Sequence, residues 1–303
     1  MRHLLTLENL SRAEITRLLD RAEAFRSLGQ QRELLAGRTV LNLFFENSTR
    51  TRTSFEIAAH RLGADVINFD VSRSSTAKGE SLLDTLHTLE AMRLDALVVR
   101  HGENRLPDYL AEHARSEVAV INAGDGHRAH PTQGLLDALT IRRRRTDFEN
   151  LKIVICGDIR HSRVARSDVH AFTTLGAKDI RLCAPRALLP EDPGEFRRCA
   201  VTEDFDAALD GANVVIMLRI QKERMAAALL PADADYFAHY GLDARRLALA
   251  EPDCMVLHPG PINRGVEIAG DVADGAHSRI LDQVANGVCV RMAVLAELLV
   301  SHA

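Results

Sequence analysis

Short apolar runs alternate with amphipathic stretches along nearly the whole chain. Leu10-Ser11-Arg12-Ala13-Glu14-Ile15 opens a first helix, with Ser11 and Glu14 spaced as a capping box and Leu10 and Ile15 as a hydrophobic staple. Ile15, Leu18, Leu19, Ala22 and Phe25 then recur on one helical face. TVLNLFF (39–45) predicts a buried strand, TSFEIAAHRL (53–62) a helix stopped by Gly63, and DVINF (65–69) a strand. VSRSSTAKGE (71–80) is a polar loop, followed by a helix over SLLDTLHTLEAM (81–92) and a strand over LDALVVR (94–100). PDYLAEHA (107–114) predicts a helix, VAVINA (118–123) a strand, and PTQGLLDALTI (131–141) a helix running into Arg142–Arg145. The alternation restarts with a strand at LKIVICG (151–157) and a helix near VARSDVHAFTTLG (164–176). Further strands follow at DIRLCA (179–184), ANVVIML (212–218) and CMVLHPG (254–260), and the helix RMAVLAELLV (291–300) closes the chain.

Strand–helix alternation in both halves predicts an α/β protein of two domains, each a parallel sheet flanked by helices. The break falls around Thr140–Asn150, where a basic run and the turn-like TDFEN separate the halves. The length of 303 residues agrees, at roughly 150 residues per domain. In such sheets ligands sit beyond the carboxyl ends of strands. Polar residues cluster there: after Phe45, Val99, Ala123, Gly157, Leu218 and Leu257.

Composition narrows the classes. Apolar residues make up 46% and charged residues 26%, as in ordinary globular proteins. The net charge of -4 argues against a general binder of nucleic acid or of anionic membranes. Cys156, Cys183, Cys199, Cys254 and Cys289 are scattered, with no C-x-x-C, and read as buried thiols in a reducing compartment. The N-terminus lacks a long apolar signal segment and no run approaches a membrane span, so a cytoplasmic protein is expected. Arg142–Arg145 reads as a solvated helix end, where cations suit the dipole.

Ser48-Thr49-Arg50-Thr51-Arg52 follows a strand and opens a helix. Helix N-termini are electropositive, so two arginines there are out of place unless an anion offsets them. Unpaired backbone N–H groups, hydroxyls and an Arg fork together suit phosphate oxygens. Glu46 is placed to hold an arginine until ligand arrives. A capped helix with solvated arginines is the competing reading, and it leaves the cations unopposed. There is no G-x-x-x-x-G-K-[ST], and IVICGDIRHSR lacks G-x-G-x-x-G, so the site is neither a P-loop nor a dinucleotide fingerprint. Arg100 ends a strand, and alone would be a solvated arginine. His130 and Gln133 stand one turn apart at a helix start that carries Pro131. Arg163 stands at the next helix start, Arg219 and Gln221 follow a strand, and His258-Pro259-Gly260-Pro261 forms a rigid turn. Lys78 would by default be a mobile surface lysine. No Ser-His-Asp pattern and no metal spacing such as H-E-x-x-H appears, so neither cofactor nor metal is expected.

FFENSTRTRTSFE, SSTAKGES, VVRH, NAGDGHRAHPTQGLLD, GDIRHSRVARS, LRIQKER and HPGPINRGVEI, in this order, resemble the signature segments of aspartate carbamoyltransferase catalytic chains. S-T-R-T-R with H-P-x-Q marks carbamoyltransferases in general, while SSTAKGE, LRIQKER and HPGP favour aspartate as acceptor. An ornithine enzyme would show H-P-C-Q and a Cys-bearing H-C-L-P, which are absent. Gly260 is a departure, since some members have Leu there.

The resemblance implies transfer of the carbamoyl group from carbamoyl phosphate to the amine of L-aspartate, giving N-carbamoyl-L-aspartate and phosphate, in pyrimidine biosynthesis. Ser48, Thr49, Arg50 and Thr51 would hold the phosphate. Arg100, His130 and Gln133 would hold the carbamoyl end. Arg163, Arg219 and Gln221 would hold aspartate, with Gly260 and Pro261 giving backbone contacts at the reacting centre. Arg50, Thr51, Arg100 and His130 would be the catalytic set. Ser74 and Lys78 would reach into a neighbouring subunit's site in a homotrimer. The implied division is a carbamoyl phosphate domain at 1–141, an aspartate domain at 142–285 with the ligand cleft between them, and a helix at 286–303 that returns to the first domain. Binding of regulatory chains or a dihydroorotase is left open. Two other readings are an ornithine-type acceptor, for which LRIQKER and HPGP offer few acids, and a non-catalytic binder, against which Arg50, Thr51 and His130 all stand.

Overall fold

The computed structural model describes residues 1–69, 81–221 and 233–300. Contacts divide the chain into two units, Met1–Leu136 with Val284–Ala303, and Asp137–Gln283.

The first unit holds α1 (Arg12–Leu28), β1 (Thr39–Phe44), α2 (Thr49–Leu62), β2 (Asp65–Phe69), α3 (Leu82–Ala91), β3 (Ala96–His101), α4 (Leu106–His113) and β4 (Ala119–Asp125). The four strands are parallel in the order β2-β1-β3-β4. Side-chain alternation puts Leu41, Leu97 and Val120 in one row across three strands, and this row is the centre of an aliphatic core with Leu43, Val99, Leu86 and Leu110. β1 is buried along nearly its whole length, as a strand covered on both faces must be. β2, at the edge, is mostly exposed. Leu4 adds a bridge to Ile121 beyond β4.

α5 (Pro131–Arg142) contains the first dividing point. The second unit then holds β5 (Lys152–Cys156), α6 (Arg163–Leu175), β6 (Asp179–Cys183), β7 (Ala200–Thr202), α7 (Phe205–Leu209), β8 (Val214–Met217), α8 (Asp233–Tyr240), α9 (Ala244–Leu247), β9 (Met255–Leu257) and α10 (Gly270–Ala273). Its parallel sheet runs β7-β6-β5-β8-β9. Val154, Val215 and Val256 form the matching row, packed against Phe205, Leu209 and Ile268.

α11 (Ile280–Leu299) contains the second dividing point. Glu297 binds Arg17 Nε at 2.9 Å and Arg21 Nη1 at 3.1 Å, and the Arg291 guanidinium lies 5.1 Å above the Phe55 ring. These contacts dock the helix on α1 and α2.

The capping box forms as expected: Ser11 N donates to Glu14 Oε2 at 2.9 Å and Glu14 N to Ser11 Oγ at 3.2 Å. Two helices start earlier than their apolar periods predict. α2 begins at Thr49 rather than Thr53, so the S-T-R-T-R run is the helix's own first turn. α11 begins at Ile280 rather than Arg291, because Gln283 and Asn286 are buried polar residues that interrupt the apolar period. β7, α7, α8, α9 and α10 were not expected; each spans fewer residues than a periodic pattern needs. The polar loop at 71–80 lies outside the described residues. Among the described residues no helix is long and apolar enough to cross a membrane.

Candidate active site

In the first unit the site residues gather at the carboxyl edge of the sheet. Serines cap α1, α3 and α6, where Ser11, Ser81 and Ser162 each accept from a backbone N–H of the first turn. Ser48 stands at the same position of α2 and makes no such bond. No acidic residue lies in the first turn of α2 either. This is the start of a helix left electropositive, with Arg50 exposed, Ser48 and Thr49 at its mouth and Thr51 buried.

Arg100 lies beside this turn. It pairs with Phe44 across the β1–β3 register, and its carbonyl accepts from Phe45 N at 2.9 Å. Its guanidinium spans the sheet edge, with Nε 3.2 Å from Glu46 Oε2 and Nη1 donating to Ala123 O at 3.2 Å. Glu46 therefore holds Arg100, which is not one of the two helix-start arginines for which it was expected. At the end of β4, Asp125 folds the chain back by accepting from Ala129 N at 3.0 Å. His130 follows, 5% exposed, and its carbonyl accepts from Gln133 N at 2.9 Å as α5 begins. Gln133 is buried on the same turn.

The second unit assembles its own group, again at carboxyl ends. Gly157, after β5, has φ +134°, and a Cβ there would lie 2.6 Å from Leu218 O at the end of β8. Only glycine allows these two strand ends to approach so closely. Arg163 opens α6 and is buried, with no acid in the helix's first turn, so a second cation sits at a positive helix end. Gln221 Nε2 donates to His161 O at 3.2 Å, which brings the chain after β8 against the turn before α6. His161 Nδ1 in turn lies 2.8 Å from Asp158 Oδ1. Arg219 is half-buried between β8 and Gln221.

After β9 the chain makes the turn His258–Pro261. Gly260 N donates to His258 Nδ1 at 2.8 Å, so that nitrogen carries no proton. Nε2 therefore bears it and faces Glu267 Oε1 at 3.0 Å, an oxygen that also accepts from Asn263 N at 2.6 Å. The imidazole is thus a neutral strut with one tautomer. Gly260 has φ +64° and is joined to Pro261 by a cis peptide. A leucine there would occupy the left-handed region at a cost of about 1–2 kcal/mol, which accounts for glycine at this position.

Ser74 and Lys78 lie outside the described residues. Sequence reasoning missed Glu267 and Gln283. Glu267 sits in the short segment VEIA and Gln283 directly follows Asp282, so no local pattern singles either of them out.

Two family models cover almost all of the chain. Aspartate/ornithine carbamoyltransferase, carbamoyl-P binding domain, matches residues 2–143, and aspartate/ornithine carbamoyltransferase, Asp/Orn binding domain, matches residues 149–298. The aspartate carbamoyltransferase catalytic subunit of Xanthomonas campestris pv. campestris is 59% identical over 304 residues, covering 99% of this chain and 96% of that protein. The crystal structure of aspartate transcarbamoylase from Trypanosoma cruzi, in complex with carbamoyl aspartate and phosphate, has a TM-score of 0.88 at 32% identity, covering 98% and 96% of the two chains. Ornithine carbamoyltransferase from Thermus thermophilus also reaches a TM-score of 0.88, at 28% identity and 99% coverage of both. The fold is thus common to both acceptor types, whereas the 59% identity falls on the aspartate side. The chain belongs to the aspartate/ornithine carbamoyltransferase family, with the aspartate carbamoyltransferase catalytic subunits.

Proposed function

We propose that this enzyme transfers the carbamoyl group of carbamoyl phosphate to the amine of L-aspartate, releasing N-carbamoyl-L-aspartate and phosphate. The observation that carries the reading is the start of α2: a helix N-terminus with no side-chain cap and no acid, carrying Ser48, Thr49, Arg50 and Thr51. A dianionic phosphate suits that place, where backbone N–H groups, hydroxyls and a guanidinium fork all donate.

The aspartate amine attacks the carbamoyl carbon, and negative charge grows on the carbonyl oxygen. Thr51, Arg100 and His130 are the donors for that oxygen, and Gln133 orients the carbamoyl end. Such donors act strongly because they are fixed before the charge develops. The C–O bond to phosphate breaks, and the departing phosphate takes the amine proton, so no side-chain nucleophile is needed. Arg163, Arg219 and Gln221 meet the carboxylates of aspartate, while the backbone of Gly260 and Pro261 borders the reacting centre. Holding two substrates in register supplies roughly 7–11 kcal/mol of the barrier. We further propose that Ser74 and Lys78 complete a neighbouring subunit's site in a homotrimer, and that the enzyme works in the cytoplasm within pyrimidine biosynthesis.

The test is phosphate release by the purified chain, with L-aspartate and L-ornithine in parallel. Release with a ureido product from aspartate alone is expected. Turnover with ornithine instead would reverse the acceptor assignment.

A further inference from the structure

Two buried carboxyl groups are neighbours inside the second unit. Asp137 lies on α5 and Asp168 on α6, and both are 0% exposed. No N–H or hydroxyl donor reaches either oxygen of Asp168. Two ionised carboxylates in contact repel, and a buried carboxylate without donors loses its hydration for nothing in return. A single proton removes both penalties, because a carboxylic acid donates to its neighbour and needs no donors itself. Asp137 has a second duty. Its Oδ1 accepts from Gln283 Nε2 at 2.6 Å, while Gln283 Oε1 accepts from His258 N at 2.9 Å. Hydrogen bonds run from Asp137 through Gln283 to the first residue of the His258–Pro261 turn, and Asp168 adjoins the Asp137 end of that chain. A glutamine amide can flip end for end unless both of its partners are fixed. Here one partner is a backbone donor and the other an acceptor, and a proton held on Asp168 leaves Asp137 in its acceptor role.

We propose that Asp168 and Gln283 are positioning residues: Asp168 is a neutral acid that donates to Asp137, Asp137 thereby holds Gln283 in one orientation, and Gln283 anchors the turn carrying Gly260 and Pro261. The kinetic part rests on the reading that this turn borders the reacting centre. Burial, and after it the Asp137 carboxylate, hold Asp168 well above the ordinary carboxylate range. Asp137 is a charged group that acts on Asp168. Arg166, two positions earlier on α6, is engaged with Glu195 and with the carbonyls of Ile159 and Ser162.

Three measurements on the full-length enzyme test this. Carbon-13 NMR of aspartate side-chain carboxyls, with the Asp168 signal assigned by its loss in Asp168→Asn, is expected to show a neutral acid at neutral pH. An ionised Asp168 overturns the proposal whatever the enzyme turns over. The second is stability against pH. A raised folded-state pKa gives stability that is full below the ordinary carboxylate range and is lost as pH rises toward the raised value. Asp168→Asn keeps the donor without the titration. Its folding equilibrium constant should gain on the wild type by up to about tenfold per pH unit as pH rises from the ordinary carboxylate range toward the raised value, and parallel curves overturn the assignment. The third is kinetic. Asp168→Asn should retain wild-type kcat and KM for aspartate. Asp168→Leu and Gln283→Leu, which lack the donor or the bridge, should lose roughly 10²-fold in kcat/KM for aspartate, as a small misplacement does, with carbamoyl phosphate binding unchanged. Wild-type kinetics in both leucine variants would overturn the positioning role. A wild-type enzyme inert toward aspartate would overturn the assigned function, and the carbon-13 signal would still decide the proton.

Discussion

The roles proposed for Arg50 and His130 in the first unit are ones that substitution can separate. Arg50 is exposed at the α2 start, so Arg50→Ala should leave the melting temperature unchanged while abolishing turnover. An active Arg50→Ala enzyme would remove the phosphate assignment. His130 is buried, and its imidazole is proposed to face the carbonyl oxygen. His130→Ala should lower kcat by ~10²–10³; a change confined to KM for aspartate would show a binding role instead. These residues stood out in the sequence because their chemistry is written in their own type: two arginines and three hydroxyls at a helix start have few other uses. Glu267 and Asp168 were not legible. A buried acid takes its meaning from its partner, and the partner of Glu267 is the His258 ring while that of Asp168 is Asp137 on another helix. No local pattern announces such a pair.

At the scale of elements, the serine caps give an internal control. Ser11→Ala and Ser162→Ala remove capping bonds that the structure shows, and each should cost about 0.5–2 kcal/mol of stability by denaturant unfolding. Ser48→Ala removes no capping bond, so its stability should match the wild type while its affinity for carbamoyl phosphate falls. Equal destabilisation in all three variants would mean that Ser48 is an ordinary cap. The strands of both sheets were readable from their aliphatic runs, which the observed rows Leu41–Leu97–Val120 and Val154–Val215–Val256 explain. Helix starts were less readable. The apolar period reports the buried stripe, and α2 spends its first turn on polar residues while α11 buries Gln283 and Asn286 in place of aliphatics.

At the scale of the whole molecule, a shared site is a claim about subunits. An Arg50→Ala enzyme and a Lys78→Ala enzyme should each be inactive, because in the proposed homotrimer each defect would fall in every site. After mixing under conditions shown to exchange subunits, some sites would combine intact halves and activity should return. No recovery despite exchange would place Lys78 outside the neighbour's site. The alternation of strands and helices made two α/β halves visible in the sequence, but not the tie that holds the ends of the second unit together.

That tie sets an order of events during synthesis. Gln283 and Asp137 bond at 2.6 Å although 146 positions apart, so the whole second unit is looped out between two pieces of the first. The ribosome delivers the first piece early and α11 last. At ~5–20 residues per second, the first sheet waits roughly 10–30 s for its final helix. Throughout that delay the surface around Phe55 and α1 lacks its cover, and Glu297 has yet to reach Arg17 and Arg21. The nascent chain is thus most exposed to chaperones and to aggregation at the face that α11 later closes, and rapid folding of the second unit, by drawing its two ends together, shortens the search.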